Sequence, residues 1–232
     1  MTEQPTRQIA PEEFLAVVDH ELGNLVTVVI GLSSALERRW DTLDEVDRRD
    51  LARRTAAQAA ELGTLLANLR TLRHGQATPA GDTIVDQNPS QTLTDLVEDL
   101  RHAAPEHQLV AAIEPSLPPM RLDAGRLGQV LRNLVTNAAK FAPRGSTVRL
   151  SAAVAGDRSL TITVEDTGPG IPTDRRDEVF DKFVQLDPTR SGTGLGLFIS
   201  RAIIESLGGK IWIDQAPHGG CLACVTLPLA PP

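Results

Sequence analysis

The sequence predicts an α-helical hairpin, built to pair with a second copy as a four-helix bundle, followed by an α+β two-layer sandwich with a mixed sheet. Three observations carry this. The first third repeats apolar residues at spacings of three and four. A stretch rich in Gly, Pro, Thr and Asp interrupts the pattern, and beyond it short alternating strands are interspersed with amphipathic helices.

Val18, Leu22, Leu25, Val29, Leu32 and Leu36 form the first stripe. "WDTLDEVD" breaks it with acids suited to a turn and a new helix start. A second stripe follows through Leu51, Thr55, Gln58, Leu62, Leu65, Leu69 and Leu72, polar in two slots. Two antiparallel helices cannot bury both stripes alone, so a homodimer through the hairpin is expected, the alternative being a hairpin packed on the rest of its own chain. "HGQATPAGDTIVDQNPS" reads as a linker, giving a hairpin domain over 1–74, a linker over 75–90 and a second domain over 91–232.

In that second domain a helix is expected after the cap-like Ser90 and another after Asp123. "LVAAIE" reads as a strand. "TVRLSAAV" and "SLTITVEDTG" read as an antiparallel pair with Leu160, Ile162 and Val164 facing inward. "LGLFISRAIIESLGG" is a helix stopped by Gly208 and Gly209, and "KIWID" and "CLACVTLPL" complete the sheet.

Composition narrows the function. Of 232 residues 41% are hydrophobic, enough for a sizeable core. A net charge of -7, 3% aromatic residues and no tyrosine argue against a nucleic-acid partner. Two cysteines indicate a reducing compartment. No apolar run reaches the roughly 18 residues of a membrane span and no signal peptide opens the chain, so a cytoplasmic protein is expected.

Three segments carry chemistry. In "NLVTNAAKF", Asn133, Asn137 and Lys140 share one helical face. A solvated stripe is the bland reading; the chemical one is an amide oxygen for a hard cation beside an ammonium for phosphate. In "EDTGPGIP", Asp166 ends a strand before Gly168 and Gly170, either an ordinary Asp turn or a carboxylate placed to accept from an exocyclic amine. In "SGTGLGL", Gly192, Gly194 and Gly196 open a helix, where backbone N–H groups can approach phosphate. The last is neither a P-loop nor a dinucleotide fingerprint, since no GK[ST] follows and no strand feeds it.

In order and spacing, these segments resemble the catalytic core of sensor histidine kinases, from about Phe14 to the C-terminus. "NLVTNAAKF" is similar to the N box, "VEDTGPGIP" and "SGTGLGLFIS" to the two glycine boxes, and "VFDKFVQ" to the F box. The resemblance implies an ATP site with Mg²⁺ on Asn137 and phosphates or metal on Asn133 and Lys140. It implies adenine on Asp166, with Gly168 and Gly170 shaping the adenine end and Gly192, Gly194 and Gly196 the phosphate end. Phe180 and Phe183 would couple a lid to the nucleotide, or be two core aromatics; Arg190, in a short lid, would reach a phosphate. In related gyrase-type and mismatch-repair ATPases a glutamate precedes the metal-binding asparagine by four residues. Here that place is Asn133, which favours phosphoryl transfer over hydrolysis.

"VVDHELGNLV" supplies the acceptor. His20 lies two residues from both Val18 and Leu22, about 200° around the helix from each, so it points away from the stripe. By resemblance to the family's "SHELRTPL", His20 takes the phosphoryl group, Glu21 acts as base, and Asn24 fits a pattern for dephosphorylating a partner's aspartate or is an unremarkable exposed amide. Asp19, Gly23, Asn24 and Leu25 depart from that pattern, and Leu25 removes the proline that bends such helices. The expected function is autophosphorylation on His20 and transfer to an aspartate of a response-regulator receiver domain. The altered motif motivates the alternative of a degenerate nucleotide-binding scaffold. Cys221 and Cys224 read as ordinary sheet residues, and His74, His102, His107 and His218 as surface residues. No sensor segment precedes Pro11, so the chain reads as an excised core or one whose input arrives through a partner.

Overall fold

A computed structural model describes residues 11–74, 85–156, 159–187 and 193–229. Two long helices, α1 (Pro11–Arg38) and α2 (Glu45–His74), form an antiparallel hairpin. The two stripes meet: Val18, Leu25 and Leu65 are buried, with Leu22, Leu62 and Leu69 packed beside them. The polar slots are satisfied locally, Thr55 Oγ1 donating to Leu51 O at 2.8 Å and Gln58 Nε2 to Glu61 Oε2 at 3.4 Å. At the turn Leu43 is buried and the Asp44 carboxylate accepts from Asp47 N at 2.8 Å, which caps α2. Opposite flanks stay open, with Val26, Ile30 and Leu66 exposed. As expected without a proline, α1 is unbroken through Leu25; the side chain of Leu72 lies outside the described residues.

Most of the second unit follows the sequence pattern, but its start does not. Strand β1 (Val85–Gln87) pairs antiparallel with β3 (Met120–Leu122), and α3 (Pro89–Ala103) begins one residue before Ser90. The stretch expected to be linker through residue 90 is therefore structured from Val85 on. Asn88 is the cap of α3, its Oδ1 accepting from Ser90 N at 3.1 Å with Pro89 in the first turn. Ser90 instead ties the helix to the loop beyond β2 (Gln108–Ile113). Its Oγ donates to Glu114 O at 2.9 Å and accepts from Leu117 N at 3.1 Å. Ser90→Ala strands both backbone groups and is expected to cost about 1–2 kcal/mol. Urea denaturation checks it; an unchanged midpoint would refute the tie.

The main sheet runs β2-β4-β5-β7-β6, with β4 (Thr147–Ala155), β5 (Ser159–Glu165), β6 (Lys210–Gln215) and β7 (Cys221–Pro228). Only β2 and β4 are parallel, so the sheet is mixed. Pleat alternation aligns Ala152, Ile162, Val225 and Ile211 in one buried row and Leu150, Val164, Ala223 and Ile213 in the next. Against these rows pack α4 (Ala124–Phe141) and α5 (Gly196–Ser206). Asp123 caps α4 as its sequence implies, accepting from Arg126 N at 2.9 Å. Leu127, Val130, Leu131, Leu134 and Val135 fill its inner face. Past α5, Gly208 N and Gly209 N return to Glu205 O and Ile204 O, ending the helix at the expected glycines.

The hairpin touches this unit along α2. Asn68, only 6% exposed, accepts from Gln129 Nε2 of α4 at 3.3 Å.

Candidate functional site

The outer face of α4 carries Asn133, Asn137 and Lys140, all half-buried, along a cavity of about 1120 Å³. That volume suits a ligand larger than a metabolite fragment. Asn133 is held from α5, donating through Nδ2 to the buried Ser200 Oγ at 2.9 Å. The approach is so close that a Cβ on Gly196 would sit 2.2 Å from Asn133 Oδ1, which explains a glycine as the first residue of α5. Asn137 has no hydrogen-bond partner among the described residues, so its amide oxygen is available to a cation or ligand. The Lys140 ammonium lies 5.2 Å from the Phe141 ring centre.

At the other end of the cavity is Asp166, 5% exposed. Its Oδ1 accepts from Gly168 N at 2.7 Å and Cys221 N at 3.2 Å, which leaves Oδ2 without a partner among the described residues. Burial pushes its carboxyl above the usual range; the two amide hydrogen bonds pull the other way, and Glu165 adds to the rise. Gly168 sits where a Cβ would come within 3.0 Å of Phe141 O, at the C-terminal end of α4. The cavity thus runs along α4 from Phe141 to Asn133, eight residues or roughly 12 Å. Gly170 borders the Asp166 end with a positive φ of 74°.

Phe183 is the one non-glycine residue with a positive φ (64°) among those described, and it braces Gly194 (φ 65°). Phe183 N donates to Gly194 O at 3.0 Å. Its link to Gly194 is thus a backbone bond. Phe180 is a core aromatic, 1% exposed, with the Arg201 guanidinium 4.1 Å from its ring centre. Val184 and Leu186, not the two rings, line the cavity there. Arg190 and Gly192 lie outside the described residues.

His20 is exposed on α1, as its phase requires; Glu21 is half-buried and Asn24 exposed. His20 does not line the cavity, but the cavity opens onto α2 between Ala57 and Asn68. His20 is 18 residues from Arg38, the hairpin end of α1, and Gly63 is 18 residues from Glu45, the matching end of α2. The histidine and the cavity therefore sit at the same level of the hairpin, on neighbouring helices.

The residues from 122 to 231 match the family described as histidine kinase-, DNA gyrase B-, and HSP90-like ATPase. Over 95% of its length the chain is 29% identical to the adaptive-response sensory kinase SasA of Trichormus variabilis, covering 58% of that protein. It is 33% identical to the circadian input-output histidine kinase CikA of Synechococcus elongatus, over 94% of this chain and 30% of CikA. Full-length ShkA, crystallised in complex with AMPPNP, superposes with a TM-score of 0.65 and 25% identity, over 97% of this chain and 47% of that one. Along nearly its whole length the chain is thus similar to histidine kinase catalytic cores. The Acinetobacter baumannii histidine kinase AdeS shares the fold, with a TM-score of 0.64 and 24% identity over 91% of this chain and 98% of that one. The chain spans little more than half the length of the SasA relative.

Around this cavity the geometry adds residues that sequence reading missed. Ser200, the support of Asn133, lies 67 positions away, beyond any local pattern. Arg132 and Thr136 on α4 and Glu61, Thr64 and Asn68 on α2 line the cavity. So does His102, exposed as expected. His107 is half-buried rather than on the surface, with Nε2 enclosed and unpartnered among the described residues. His218 is exposed as expected, and the side chain of His74 lies outside the described residues. Cys221 and Cys224 are free, their thiols pushed by burial to about 12 and about 11.

Proposed function

We propose that the cavity holds ATP as phosphoryl donor and that His20 is the acceptor, with onward transfer to an aspartate of a response-regulator receiver domain. The carrying observation is that Asp166, with one carboxylate oxygen unpartnered among the described residues, and Asn137, with a free amide midway between Phe141 and Asn133 on α4, line one groove. A carboxylate acceptor suits the exocyclic amine of adenine. The close-packed Gly196 at the start of α5 leaves backbone N–H groups for the phosphates. Asn137, beside Asn133 and Lys140, fits a Mg²⁺ ion, which takes few protein ligands and shares phosphate oxygens; when bound it would neutralise phosphate charge.

In the transfer, an imidazole nitrogen of His20 bonds to the γ-phosphorus, the bond from that phosphorus to the β–γ bridging oxygen breaks, and ADP leaves. Glu21 accepts the imidazole proton. Positioning carries most of the catalysis, since the chain supplies no other covalent chemistry. Asn24 orients water for dephosphorylating the regulator, a role its exposure about one turn from His20 supports.

The hairpin over residues 1–74 serves as the dimerisation and phosphotransfer domain, and the remainder binds nucleotide. Exposed Val26, Ile30 and Leu66 support burial against a second hairpin. Among the described residues no helix is long and apolar enough to cross a membrane, and a cytoplasmic site of action accords with an ATP donor.

Incubation with γ-labelled ATP tests the reading. Acid-labile, alkali-stable label on the chain is expected, as a phosphoramidate requires. Absent label, or label that survives acid, would sink it.

A further inference from the structure

Three cations line the cavity among the described residues, and two of them are engaged. Arg175 pairs with Glu178, and Lys140 lies over the Phe141 ring. Arg132 has no side-chain partner among the described residues and is exposed in the middle of α4. Its phase is informative. Gln129, Arg132 and Thr136 follow the i, i+3, i+7 spacing of a single helix face. Gln129 bonds Asn68, so this face is turned to α2. Arg132 also adjoins Asn133, at the end of the cavity far from Asp166.

From this placement we infer that Arg132 is a further nucleotide-contacting residue, its guanidinium gripping the terminal phosphate on the side that faces the phosphoacceptor hairpin. The inference rests on the nucleotide-site reading above. Adenine at Asp166 sends the phosphates along α4 toward Asn133, and the last of them arrives beside Arg132. A planar guanidinium with all its donors unspent matches two phosphate oxygens at once, which an ammonium cannot do. Glu61 on α2 also lines the cavity, where it accepts from Gln58.

Nucleotide titration of the intact protein with Mg²⁺ tests this, using wild type, Arg132→Gln and Arg132→Lys. For AMPPNP, Arg132→Gln should weaken binding about tenfold, the worth of a charge-assisted contact. The lysine variant should fall between, and ADP, lacking the terminal phosphate, should bind all three within about twofold. Equal losses for AMPPNP and ADP, or none for either, overturn the inference while leaving the nucleotide site intact. Wild-type protein that binds neither nucleotide overturns the site and the role of Arg132 together. Melting temperatures of the three proteins separate a lost contact from a damaged fold.

Discussion

His20→Ala should abolish labelling from γ-labelled ATP while leaving nucleotide affinity and stability where they were. Both halves follow from placement. The imidazole is exposed and makes no hydrogen bond or ion pair among the described residues, so its removal leaves no cavity and no stranded partner. Surface changes of this kind shift stability by no more than about 0.5 kcal/mol. Asp166 and Asn137, which hold the proposed donor, sit on another unit and are untouched. The competing acceptor is His102, which already lines the cavity. Label that persists in His20→Ala and disappears in His102→Ala would move the acceptor to α3. Label that persists in both would remove histidine from the reading altogether.

Asp166→Asn should make the protein more stable and nearly unable to bind ATP. Asparagine retains one carboxamide oxygen for the amides of Gly168 and Cys221. It replaces the open oxygen with an NH₂, setting donor against donor where adenine presents its amine. Sites built around one buried polar contact discriminate by large factors, so ATP affinity should fall by about a hundredfold or more. Stability moves the other way. Burial raises the Asp166 pKa above that of the unfolded chain, so the native state holds its proton more tightly. The charged form therefore opposes folding above the raised pKa, and stability grows as pH falls through it toward the ordinary carboxylate value. At neutral pH the neutral amide removes that penalty and the melting temperature should rise. Unchanged ATP affinity would remove Asp166 from base recognition.

What was legible in the sequence was local. Leu160, Ile162 and Val164 alternate within one strand, and Asp123 caps the helix that follows it directly. Asn133, Asn137 and Lys140 share a face because helix geometry alone puts them there. Illegible features depended on distant partners. Ser90 looked like a cap because its bonds reach 24 and 27 residues away, and Asn88 with Pro89 took the role instead. Strand β1 is three residues long and exists through β3, so composition alone made it linker. The left-handed backbone of Phe183 had no sequence signal, since that conformation usually announces itself as glycine or asparagine.

Leu65 and Asn68, three residues apart on α2, tie two equilibria together. Leu65 is buried in the core it shares with Leu25 of α1 and also lines the cavity, while Asn68 lines the cavity and bonds α4. The helix is stiff over that single turn, so the two sites cannot move independently. Whatever turns or slides α2 within the hairpin is felt as a change in nucleotide affinity. By reciprocity, a bound nucleotide presses on the hairpin with the same free energy. Under the proposed function, movement of α2 and loading of nucleotide are therefore two faces of one equilibrium.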